Sequence, residues 1–112
     1  MEDATIIARG VLRGHEASGE VVLETTAQGD VLRLKAFWIA PGAPDVRIYL
    51  TPDRAGNVEI DGAIDLGNVT TFSGHAATYA IPEGAPLRQM GAVVVYCTVF
   101  SVTFGVAALD PV

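Results

Sequence analysis

Residues 20–37 read EVVLETTAQGDVLRLKAF, and this stretch sets the fold class. Its second half alternates, with Val31, Arg33 and Lys35 standing against Leu32, Leu34 and Ala36. A period of two places successive side chains on opposite faces of a strand, one buried and one wet. The first half, residues 20–26, is rich in Val and Thr, which suit a pleated, half-buried surface. Ala27, Gln28, Gly29 and Asp30 supply a short turn between the halves, so the whole reads as an antiparallel β-hairpin.

The same pattern extends in both directions. Upstream, residues 5–12 form an apolar stretch with β-branched Ile6 and Ile7, bent at Gly10, and residues 13–19 form a polar turn region. Downstream, residues 41–45 are a loop through which Pro44 forbids a helix. Residues 46–51 alternate again, with Arg47 and Tyr49 opposed to Val46, Ile48 and Leu50. Residues 52–57 are turn-rich, and residues 58–69 hold one short strand interrupted by Asp61-Gly62 and Gly67-Asn68. Residues 72–81 read as a strand bent at Gly74 and ended by Pro82. Residues 92–100 and 102–109 close the chain as two long core strands, with the run 93–100 apolar enough to be central and covered on both faces. No segment keeps helical apolar spacing for three turns, and residues 85–91 allow at most one short turn. The expectation is a single all-β domain over residues 1–112, an antiparallel β-sandwich or partly closed β-barrel.

Composition agrees. With half of the 112 residues apolar and only 18% charged, the chain can build one well-buried core. Its net charge is −6 and it contains no Lys/Arg cluster, which argues against nucleic acid and against an anionic membrane surface as partners. The longest apolar-rich run, residues 91–109, is broken by Thr98, Ser101, Thr103 and Gly105 and suits two strands better than a membrane helix. Met1, Glu2 and Asp3 lack the basic and apolar regions of a signal peptide. The protein is therefore expected to be cytoplasmic if this chain is full length, or extracytoplasmic if a leader has been removed.

Few residues offer chemistry. Phosphate-loop, dinucleotide, metalloprotease, calcium-loop and nucleophile-elbow motifs are all absent, so an enzyme is not favoured. Cys97 is the single cysteine, which excludes an internal disulfide, a Cys-rich metal site and a two-cysteine haem attachment. Its functional reading is a redox thiol or a soft ligand to haem or copper. Its bland reading, the commoner fate of a free cysteine, is a small buried hydrophobe, and Val95, Tyr96, Thr98 and Val99 bring no positive charge to it. His15 and His75 each follow a glycine and read as solvated turn residues; with Cys97 they would make a three-ligand copper or zinc site only if the fold converged them. Asp61 and Asp65 offer carboxylates for calcium, but solvated loop acids are the preferred reading. Trp38 reads as core or rim packing, and Tyr49, Tyr79 and Tyr96 as strand residues whose hydroxyls find a partner.

Five segments, taken in order, resemble the DM-thirteen domain, a small "electron transfer" domain of bacterial proteins and animal cell-surface proteins. They are Gly14-His15 with Gly19; Val31-Leu32-Arg33-Leu34 to Phe37; Ala43-Pro44-Asp45-Val46 with Tyr49-Leu50; Leu66-Gly67, Gly74 and Tyr79-Ala80-Ile81-Pro82; and residues 93–109 around Tyr96-Cys97, Phe100-Ser101-Val102 and Phe104-Gly105. The resemblance implies a β-sandwich-like domain, often extracytoplasmic and tied to a membrane or lipid anchor. It also implies a cysteine, Cys97 by position, acting as a redox thiol or as a ligand to a group such as haem. Tyr96 stands where the family commonly has tryptophan, no aromatic precedes the cysteine strand, where the chain offers Met90, and the stretch from Gly74 to Tyr79 is one residue longer than the family pattern.

Two functions are expected on these grounds. One is an electron-transfer accessory domain centred on Cys97, with His15 and Tyr96 as neighbours, haem or copper as the groups the resemblance allows, and a protein redox partner or cell-surface protein as its counterpart. The other is a non-catalytic extracytoplasmic binding or adhesion module in which Cys97 is only core. A hydrolase has no acid–base or nucleophile constellation to support it.

Overall fold

The computed structural model of the protein describes residues 5–69 and 76–112. Their strands are β1 (Thr5–Leu12), β2 (Ala17–Thr26), β3 (Gly29–Ile39), β4 (Val46–Thr51), β5 (Ile64–Asn68), β6 (Ala77–Ala80), β7 (Ala92–Cys97), β8 (Val102–Ala108) and β9 (Asp110–Pro111), with one 3-10 turn at Leu87–Gln89. They form two antiparallel sheets, in the orders β6-β3-β2-β1-β9 and β5-β4-β7-β8. The architecture is thus the sandwich of the two expected alternatives; the sheets are not closed into a barrel, so the partly closed barrel is set aside. The inner faces interdigitate around fully buried Leu23, Leu32, Leu34 and Phe37 of the first sheet and Val46, Ile48, Leu50, Val93 and Val95 of the second.

The hairpin of residues 20–37 is present, with Thr26 paired to Gly29, so its turn has two residues rather than four. The Thr26 hydroxyl closes it, donating to the Gly29 carbonyl (2.8 Å) and accepting from the Gln28 N–H (3.2 Å). Leu32 and Leu34 face the core as the alternation requires, but Ala36 does not. A β-bulge in β3, where Ala36 and Phe37 together face Gly19 between the Ser18–Trp38 and Glu20–Lys35 pairs, with Ala36 at φ +49°, advances the phase by one residue. Phe37 then takes the buried position and Trp38 turns outward to the rim, 42% exposed.

In the second sheet β7 is central, as its composition demands, but it ends at Cys97 and not at residue 100. Residues 98–101 are a turn, in which Ser101 takes a left-handed φ of +54°. Val93, Val95 and Cys97 face the core, while Val94 on the opposite face is covered by the chain between β4 and β5, with Gly56 against Val94 and Val106. Of the stretch 72–81 the described part carries β6, hydrogen-bonded to β3; the proposed bend at Gly74 lies outside the described residues. The last strand, β9, crosses back to pair with β1. That return brings β8 against β1 so closely that a Cβ on Gly10 would land on the Ala108 carbonyl oxygen, and one on Gly14 on that of Phe104.

Candidate functional site

Cys97 is the last residue of β7, paired with Val46 on one side and Val102 on the other. The inward pleat of β7 aims its side chain into the core, where it is 0% exposed and clusters with Val46, Val95 and Phe104. A thiol so placed is held by packing rather than by polar partners.

Thr98, next in the chain, is polar and tightly tied. Its hydroxyl donates to the Asp45 carboxylate (2.6 Å), and its N–H donates to the Asp45 carbonyl (3.2 Å). The same carboxylate accepts from Asn68 Nδ2 (2.7 Å) and from Arg47 Nη1 (3.3 Å). Asp45 sits at the end of the loop leading into β4, at φ +25°. Its hydrogen bond from Thr98, helped by Arg47 and Asn68, holds its carboxyl below the usual carboxylate range despite some desolvation. Asp45 therefore clamps the β3–β4 loop, the end of β5 and the β7–β8 turn together at the end of the sandwich where Cys97 lies. Beyond the clamp the turn exposes apolar groups, with Val99 59% and Phe100 64% accessible.

Tyr96, adjacent in sequence, is on the opposite face, because the pleat alternates. Its hydroxyl donates to Glu59 (3.2 Å), and its ring meets that of Tyr49 edge to face at 6.0 Å. Burial pushes the Tyr49 phenol pKa up, and the Asp65 carboxylate adds to that shift. His15 is exposed in the turn between β1 and β2, and no hydrogen bond or ion pair joins it to Cys97 among the described residues. His75 lies outside the described residues. Asp65 accepts from Arg47 Nε (2.7 Å) and from the Gly67 N–H (3.0 Å); it and Asp61 are both exposed, and among the described residues neither belongs to a group of three metal-ligating side chains.

The residues around Cys97 do not fit haem or copper. No three His, Cys, Asp or Glu side chains gather anywhere among the described residues, and the core on the Cys97 side of β7 is apolar packing that leaves the residue with no exposure. A three-ligand copper site needs two further donors and haem needs an open pocket, whereas among the described residues Cys97 is packed with buried apolar side chains.

Two features escaped the sequence reading. The Asp45–Thr98 clamp joins positions 53 residues apart. A groove on the first sheet collects Arg9, Arg13 and Lys35 from strands distant in sequence. Neither has a local signature beyond a polar residue bordering a strand. In the comparisons with known proteins, the profile of the family described as electron transfer DM13 matches residues 11–109. No curated protein and no solved structure matches the chain.

Proposed function

The chain belongs to the electron transfer DM13 family, and from that premise we propose that it is an accessory domain of an electron-transfer assembly with Cys97 as its redox side chain. The observation that carries this reading is the family match, whose span includes the only thiol in the chain. Burial of that thiol sets how it works. A reagent reaches the sulfur only when the β7–β8 turn lifts from Asp45, so exchange is gated by the fold. With a peroxide as oxidant, the sulfur takes one oxygen to become a sulfenic acid and water leaves. An external thiol then condenses with it, releasing a second water, and a further thiol displaces Cys97 in its reduced form. Both thiols come from a partner, because the chain has no second cysteine. We place that partner, a redox or cell-surface protein, outside the cytoplasm, in keeping with the setting the family resemblance implies.

A second reading has its own support. Zero exposure among apolar side chains is what a purely structural cysteine shows, and the domain would then be a binding module. Trapping of the sulfenic acid with dimedone on the folded protein, read by intact mass, separates the two. Capture in the wild type under peroxide, lost in Cys97→Ser, supports the redox role. If capture occurs only at the rate of global unfolding, Cys97 is structural and the binding-module reading stands.

A further inference from the structure

Of the seven Lys and Arg residues in this acidic chain, Arg33, Arg47 and Arg54 are each ion-paired, to Glu24, to Asp45 and Asp65, and to Asp110. Among the described residues no ion pair or side-chain hydrogen bond holds the other four, which are Arg9, Arg13, Lys35 and Arg88. Three of these four line one groove of about 640 Å³ on the outer face of the first sheet. The topology explains the convergence. Arg9, Val11 and Arg13 follow the period of two along β1, so they share a face. Val11 lies opposite Glu20 on β2, and Glu20 opposite Lys35 on β3. The far wall is β8, brought in by the Arg13–Val106 bridge and the close approach at Gly10.

The lining is half apolar. Val22, although on the outward face, is only 6% exposed, and Val106 joins it in the wall. Two acids border the groove. Asp110 is neutralised by Arg54 at 2.8 Å, leaving Glu20 against three cations, a local charge of +2 in a chain of net charge −6. Paired cations cost little to keep in an acidic protein; unpaired ones gathered over an apolar floor create a local positive field that draws anions. Guanidinium groups present paired donors that match planar or tetrahedral oxyanions.

We propose that this groove binds a small amphipathic anion, with its carboxylate, sulfonate or phosphate on Arg9 and Arg13 and its apolar body on Val11, Val22 and Val106. The volume fits an organic ligand of ordinary size. The groove shares no residue with the Cys97 site, so the proposal stands or falls apart from the redox reading.

The test titrates the full chain with 8-anilinonaphthalene-1-sulfonate, followed by fluorescence and by amide chemical shifts, beside the uncharged N-phenyl-1-naphthylamine. The sulfonate should bind at least tenfold more tightly than the neutral probe, weaken with added salt, and shift amides of β1, β2 and β8. Arg9→Gln with Arg13→Gln should weaken binding tenfold or more, and Arg88→Gln should leave it unchanged. Glu20→Gln should tighten binding several-fold with amide shifts still confined to β1, β2 and β8, a localisation that dye uptake by a partly unfolded variant would not reproduce. Vesicles of phosphatidylcholine with phosphatidylglycerol distinguish the source of the anion. Sedimentation with them that the double substitution abolishes assigns a lipid headgroup, and binding of the free probe alone assigns a soluble ligand. Equal affinity for the neutral probe, no loss in the double variant, or shifts confined to the Cys97 end would overturn the assignment.

Discussion

Replacing Cys97 with alanine or with serine asks whether its surroundings are as dry as the geometry makes them. The side chain is 0% exposed and its neighbours are aliphatic and aromatic. Alanine removes one buried heavy atom, about 0.8 kcal/mol of transfer energy, and leaves a small void that the packed strands close incompletely, for a total of about 1–2 kcal/mol. Serine fills nearly the same volume but puts a hydroxyl among buried apolar side chains. The nearby backbone carbonyls belong to the ladders with β4 and β8, so an unpaired hydroxyl should cost about 1–3 kcal/mol in addition to the lost sulfur contacts. Serine should therefore be worse than alanine. In urea unfolding with a slope of about 1.5 kcal/mol/M, alanine should lower the midpoint by about 1 M and serine by more. A serine variant as stable as the alanine variant would show that a hydroxyl finds water or a partner there. The claim that Cys97 is reached only through turn opening would then fail, and with it the gating part of the proposed mechanism.

Three further outcomes rest on the same geometry. Thr98→Val keeps the side-chain shape and deletes the donor to Asp45, so native-state reaction of Cys97 with 4,4′-dithiodipyridine should speed up roughly fivefold, the worth of one net hydrogen bond; an unchanged rate would show that the clamp does not hold the turn. The Asp45 carboxyl titrates lower in the folded state than its ordinary value of 3.8, so it contributes stability that is complete above that value and drains away as pH falls through the lower folded one. Urea midpoints should accordingly drop on the acid side more steeply in the wild type than in Asp45→Asn, and parallel profiles would remove Asp45 from that role. Gly10→Ala drives a methyl group into the backbone of β8, an overpacking that costs about 1–3 kcal/mol and should lower the melting temperature by about 10 °C; an unaltered melting temperature would mean the β1–β8 contact is looser than described.

Local pattern was enough to define the strands and most of their faces. Leu32 and Leu34, then Val46, Ile48 and Leu50, lie inside because a period of two is written locally, and prolines and glycines mark the loops for equally local steric reasons. The amino-acid order also exposed the family, through residues scattered along the whole chain, and singled out Cys97 as its one thiol. Everything that depends on which strand lies beside which needed the folded molecule. The bulge that turns Ala36 out and Phe37 in arises from a register shift against β2, which no alternation within β3 encodes. Cys97 and Tyr96 part to opposite faces, His15 makes no bond to the thiol, Asp45 reaches Thr98 across 53 positions, and Arg9, Arg13 and Lys35 meet only because β1, β2 and β3 are hydrogen-bonded neighbours. A side-chain pattern specifies the face a residue presents. The partner it meets on that face is set by strand pairing and sheet stacking, which link distant parts of the chain and leave no local signature.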